Sequence, residues 1–159
     1  MNLTTPPPAK LSDLLELAIA DARRLDHALY TPMWMTWHRP RPLDGKCMVC
    51  IAGAVIAGTL GCPAGTSIDI ATSDSTDPQS TTITDERWRR ALWALDFARE
   101  GHWLDAFQAL HGTCPDRLLH ERLEALPVPA EVEFHDWNQL ATHLVSLASC
   151  ANELRELGL

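Results

Sequence analysis

The sequence predicts a mainly α protein: a single-domain bundle of about five or six helices around a buried central helix at residues 47–60, joined by long irregular loops. Three observations predict it. The stretch 47–60 carries no charge, so a helix there has no polar face and must be enclosed. Five other windows repeat apolar residues at steps of three and four. Between the windows lie runs rich in proline, glycine, serine and threonine.

Taken in order, residues 1–9 hold Pro6, Pro7 and Pro8 and form a flexible lead-in, and residues 10–159 form one helical domain. Ser12 is the expected cap of a helix with Leu14, Leu15, Ala18, Ala22 and Leu25 inward. Residues 27–46 are broken by Pro32, Pro40 and Pro42 and form an ordered loop packed by its own rings, with a short strand at 33–37. In the central stretch, Cys47, Cys50, Ala54, Ala57 and Gly61 share one side, where small side chains admit a neighbouring backbone. Residues 62–84 are polar, with Ile68, Ile70 and Ile83 as the apolar anchors, and are the first candidate for disorder.

Thr84 or Asp85 starts the next helix, with Trp88, Leu92, Leu95 and Ala98 inward and Gly101 as its stop. A second begins near His102 and runs through Trp103, Leu104, Phe107 and Leu110 to Gly112. Thr113, Cys114 and Pro115 open a third, carrying Leu118, Leu119, Arg122 and Leu126 until Pro127 ends it. Asp136 caps the last, where Trp137, Leu140, Leu144, Leu147, Ala151 and Leu154 form the clearest stripe in the chain. That stripe packs onto the domain or pairs two copies as a homodimer.

The chain has 159 residues, 13 basic against 21 acidic, for a formal charge of −8. Such a surface repels nucleic acid and anionic membranes and fits a basic or amphipathic partner protein. The uncharged stretch is shorter than the ~20 residues a bilayer demands, so no membrane span is expected. Five cysteines cannot all pair within the chain, and the start lacks a basic-then-apolar leader, which together predict a reducing, cytoplasmic setting.

Three groups of residues point to chemistry. Trp34, Trp37, His38, Arg39 and Arg41 combine the side-chain types that dominate interface hot spots, and are the expected partner-binding set. His38, Cys47, Cys50 and Cys62 offer four ligands for a structural zinc, although Cys50 runs into an apolar helical pattern rather than the turn residues of a zinc knuckle. Cys50 at a helix start, with His135 as base and Asp136 as its orienter, is the alternative catalytic set of a cysteine-dependent hydrolase. His111 with Cys114 and His143 with Cys150 read as hydrogen-bonded boundary residues rather than metal pairs. Asp85 with Arg89 and Glu86 with Arg90 are i,i+4 pairs in the favoured acid-first order, so Arg87, Arg89 and Arg90 read as a self-paired, solvated face rather than an anion site.

Trp37-His38, Gly45 and Cys47-x-Val49-Cys50-x-Ala52-Gly53-Ala54-Val55 resemble a pattern in small uncharacterised accessory proteins of bacteriophages and prophages. The resemblance covers about a sixth of the chain and implies a setting, in which a small protein binds a host or defence component. The expected function is therefore non-enzymatic protein binding with no cofactor. The alternatives are a cysteine hydrolase or a small zinc-stabilised binding domain.

Overall fold

The structure is a computed structural model that describes residues 4–24, 50–61, 67–69, 80–131 and 139–159, with backbone alone at 67–69, 80–82 and 139. Among the described residues six helices follow in order: α1 (Leu11–Arg24), α2 (Ile51–Ala57), α3 (Glu86–Arg99), α4 (Trp103–His111), α5 (Arg117–Glu124) and α6 (Gln139–Glu156). The mainly α bundle is thus as the hydrophobic pattern predicts. The stretch 62–84 departs from its expected irregularity: β1 (Ser67–Asp69) and β2 (Ser80–Thr82) pair in parallel, with Ser67 opposite Ser80 and Asp69 opposite Thr82.

Among the described residues α1 is the hub. It packs against α6, α2, α3 and α4, while α3 and α4 form a closely packed pair. The reason lies in its sequence, where Leu11, Leu14, Leu15, Ala18, Ile19 and Ala22 are all buried and span enough of the helix circumference to serve several neighbours. Ser12 is the second residue of this helix rather than its cap, and its hydroxyl donates to the carbonyl of Leu159 at 2.5 Å. The lead-in is tied down at Thr5, whose carbonyl accepts the indole N–H of Trp88 at 2.8 Å.

The central helix is buried as expected, from Ile51 to Ile56, but shorter. Cys50 lies in extended backbone as its N-cap, and Gly58 closes it by donating to the Ala54 carbonyl at 2.8 Å. Asp21 of α1 fixes that end, accepting from the Thr59 amide at 3.1 Å and the Thr59 hydroxyl at 2.6 Å. A side chain at Gly58 would stand 2.6 Å from Asp21 Cγ, so the close approach demands glycine there.

Of the α6 stripe, Leu144, Leu147, Ala151 and Leu154 are buried and α6 lies on α1, while Leu140 is half-buried and Trp137 lies outside the described residues. In α5 the expected inward set shifts. Asp116, not the Thr113–Pro115 run, caps the helix by accepting from the Leu119 amide at 2.8 Å, and Leu123 is its one buried residue. Leu118 is 58% exposed; among the described elements α5 packs mainly along α4, which leaves that side uncovered by them.

Candidate functional site

The most constructed surface lies where α3, α4, α5 and α6 converge on the segment 127–131. Gly101, at φ +77°, ends α3 and turns the chain into α4. After α5 the chain crosses back over that turn as a strap. Trp103 of α4 donates its indole N–H to the Pro127 carbonyl at 3.0 Å, and the Cys150 thiol points at the same oxygen from 3.7 Å. The Ala130 amide donates to the Ser146 hydroxyl at 2.9 Å, and His143 Nδ1–H donates to the Ala130 carbonyl. His143, Ser146 and Cys150 step by three and four along α6, so one face of that helix fastens the strap. The pairs read from sequence as boundary residues resolve accordingly. His143 and Cys150 spend their polar atoms on backbone carbonyls, while Cys114 accepts from Gln108 at 3.3 Å and the His111 ring lies 4.5 Å from Phe107.

Pinning the strap at both ends sets Val128 on the surface with 63% of its area exposed, directly over the Gly101 turn. On one side of it is a hollow of about 430 Å³ bounded by Trp103, Leu104, Leu123 and Leu126. On the other is one of about 320 Å³ bounded by Arg99, Pro129 and His143. Both reach Val128 and His102, so together they form one groove with an apolar residue at its middle. Its rim is acidic: Asp105 and Glu124 line the first hollow, Glu100 and Glu131 the second, and all four are exposed.

Arg99 is the one arginine or lysine in this wall, which also holds His102 and His143, and it is 4% exposed. Its Nε donates to Asp96 at 2.9 Å and its Nη2 lies 3.3 Å from Glu100. Nη1 is the single buried side-chain nitrogen or oxygen among the described residues with no hydrogen-bond partner. Burial raises the Asp96 carboxyl above its ordinary range, an effect that the Arg99 charge and hydrogen bond offset only in part. Burial likewise lowers His143, against the pull of its bond to Ala130, which keeps the ring uncharged at neutral pH.

The chemistry expected of Cys50 is not what its surroundings favour. As N-cap its sulfur accepts the Gly53 amide at 3.4 Å, a position that normally acidifies a thiol. It is 2% exposed, however, and burial outweighs that bond and the nearby Arg99 charge, pushing the thiol up to about 11. Cys150 is raised to about 11 in the same way. His135 and Asp136, the other members of the hydrolase set, lie outside the described residues. So do His38, Cys47 and Cys62 of the zinc set and all of Trp34, Trp37, His38, Arg39 and Arg41. Among the described residues no three His, Cys, Asp or Glu side chains gather as a metal site.

The arginine run of α3 is self-paired as expected, with one change of partner. Arg87 rather than Arg89 takes Asp85, at 2.8 Å, while Glu86 holds both Arg89 and Arg90. The Arg87 hydrogen bonds hold the Asp85 carboxyl down to about 2.

No described helix is long and apolar enough to cross a membrane. The chain matches no family model, no curated protein and no solved structure.

Proposed function

We propose that the protein is a non-enzymatic accessory protein that binds another protein through the groove centred on Val128. The observation that carries this reading is the strap. Four side chains from two helices bond the backbone of Pro127 and Ala130 and so hold an apolar residue at the surface between two hollows. A fixed apolar anchor with a polar rim is the usual anatomy of a recognition surface, because the anchor loses little freedom on binding. The groove suits a segment of a partner more than a broad domain face. The resemblance of the 34–61 region to phage accessory proteins sets where such a partner is sought, in a host or its defence machinery. The set at Trp34, Trp37, His38, Arg39 and Arg41 would extend the surface if it adjoins the groove.

The test is affinity capture with wild-type protein and Val128→Asp side by side. The reading expects a protein retained by the first and lost by the second. Identical recovery from both, or turnover of a small substrate by the purified protein, would overturn it.

A further inference from the structure

We infer that the occupant of this groove is a cationic segment of the partner, carrying an apolar residue that seats beside Val128 and basic side chains that reach the carboxylate rim. The inference deepens the protein-binding reading and rests on it. Its basis is charge. Asp105 and Glu131 are exposed and have no ion-pair partner among the described residues, while Glu124 is matched only by His120, at 3.2 Å. The one arginine in the wall is enclosed and already faces Asp96 and Glu100, so it projects no net positive field into the groove. With −8 on the chain as a whole, an acidic peptide or a phosphate backbone would meet carboxylates at every turn.

The two kinds of contact divide the work. Lysine or arginine on exposed carboxylates gains little per pair and is screened by salt, so the rim sets partner choice and association rate. Covering Val128, Leu126 and the hollow beside Trp103 removes apolar area from water and supplies most of the affinity.

The experiment titrates the intact protein with a short acetylated, amidated peptide of alternating lysine and leucine, and with its glutamate–leucine counterpart, followed by tryptophan fluorescence. The lysine peptide is expected to bind and the glutamate peptide not. Glu124→Gln with Glu131→Gln should weaken binding about tenfold at low salt, and Val128→Asp by more. Asp13→Asn, an exposed change on α1, should leave it unaltered. Equal binding of both peptides, or equal weakening by Asp13→Asn, overturns the inference. If the lysine peptide does not bind while Val128→Asp still abolishes protein capture, the cationic occupant is wrong and the protein-binding reading stands. If Val128→Asp changes neither assay, both fall.

Discussion

Replacing Arg99 with methionine keeps the aliphatic bulk and deletes the guanidinium, which makes it a sharp probe of how the groove wall is held. Asp96 is 15% exposed and loses the guanidinium it is hydrogen-bonded to, while Glu100, 45% exposed, keeps water and His102. Breaking a fully buried pair costs about 3–5 kcal/mol, and the partial exposure of Asp96 puts this one at the low end. Removing the unpartnered Nη1 returns about 1 kcal/mol of desolvation, so the net loss comes to about 2 kcal/mol. The pH dependence has a definite sign. A carboxyl whose folded pKa lies above 3.8 stabilises the fold when protonated and loses that contribution as pH rises through its folded value. Without Arg99 the Asp96 carboxyl rises further, so the deficit of the variant should be largest near pH 7 and shrink toward about pH 4. Urea unfolding at both pH values measures it, and adding Asp96→Asn should restore most of the loss. A deficit under about 0.5 kcal/mol at neutral pH, or one that does not change with pH, would refute the reasoning.

Three further outcomes follow from the same geometry. Gly101→Ala places a methyl 2.9 Å from Val128 Cγ1 at a positive φ and should cost about 2 kcal/mol or more, whereas Gly61→Ala, at φ +67° in open space, should cost only the ~1 kcal/mol of backbone strain; equal losses in urea unfolding would contradict the strap packing. His143 has its pKa lowered from 6.5, so wild-type stability should be complete above that value and fall as pH drops through the folded one; His143→Asn should flatten this limb, and an unchanged pH profile would argue against the buried ring. Iodoacetamide near neutral pH should modify exposed Cys114 and spare Cys50 and Cys150 until denaturant is added, as read by mass spectrometry; early modification of Cys50 would instead favour the cysteine-hydrolase alternative.

The sequence makes the helices legible and the groove almost illegible, and particular residues show why. Of the two expected starts, Thr84 and Asp85, it is Asp85 that caps α3, and Leu144, Leu147, Ala151 and Leu154 of the α6 stripe are buried as their spacing requires. Periodicity reports which residues want to be covered, not how many neighbours arrive. For that reason Leu118 falls in the apolar period of its helix yet is exposed, on a helix packed mainly along α4 among the described elements. In the central stretch the lack of charge correctly signals burial, yet the helix length is set by Asp21, 38 residues before Thr59, a contact no local pattern records. The strap reads only as a proline stop after α5. Its sole trace is the polar row His143, Ser146 and Cys150 beside the apolar stripe of α6, an alignment of polar groups that becomes meaningful once two carbonyls and an amide are set opposite it. Cys50 shows the opposite error. A thiol at a helix start looks reactive in sequence, but its pKa is decided by burial, which depends on the whole core.

The central claim is that the surface around Val128 receives a basic segment of another protein. Photo-cross-linking from p-benzoylphenylalanine placed at position 128, with the same group at exposed Leu118 as control, tests it directly. The account predicts an adduct specific to position 128, whose cross-linked stretch is rich in lysine or arginine around an apolar residue. An adduct formed equally from position 118, or one on an acidic stretch, would contradict it.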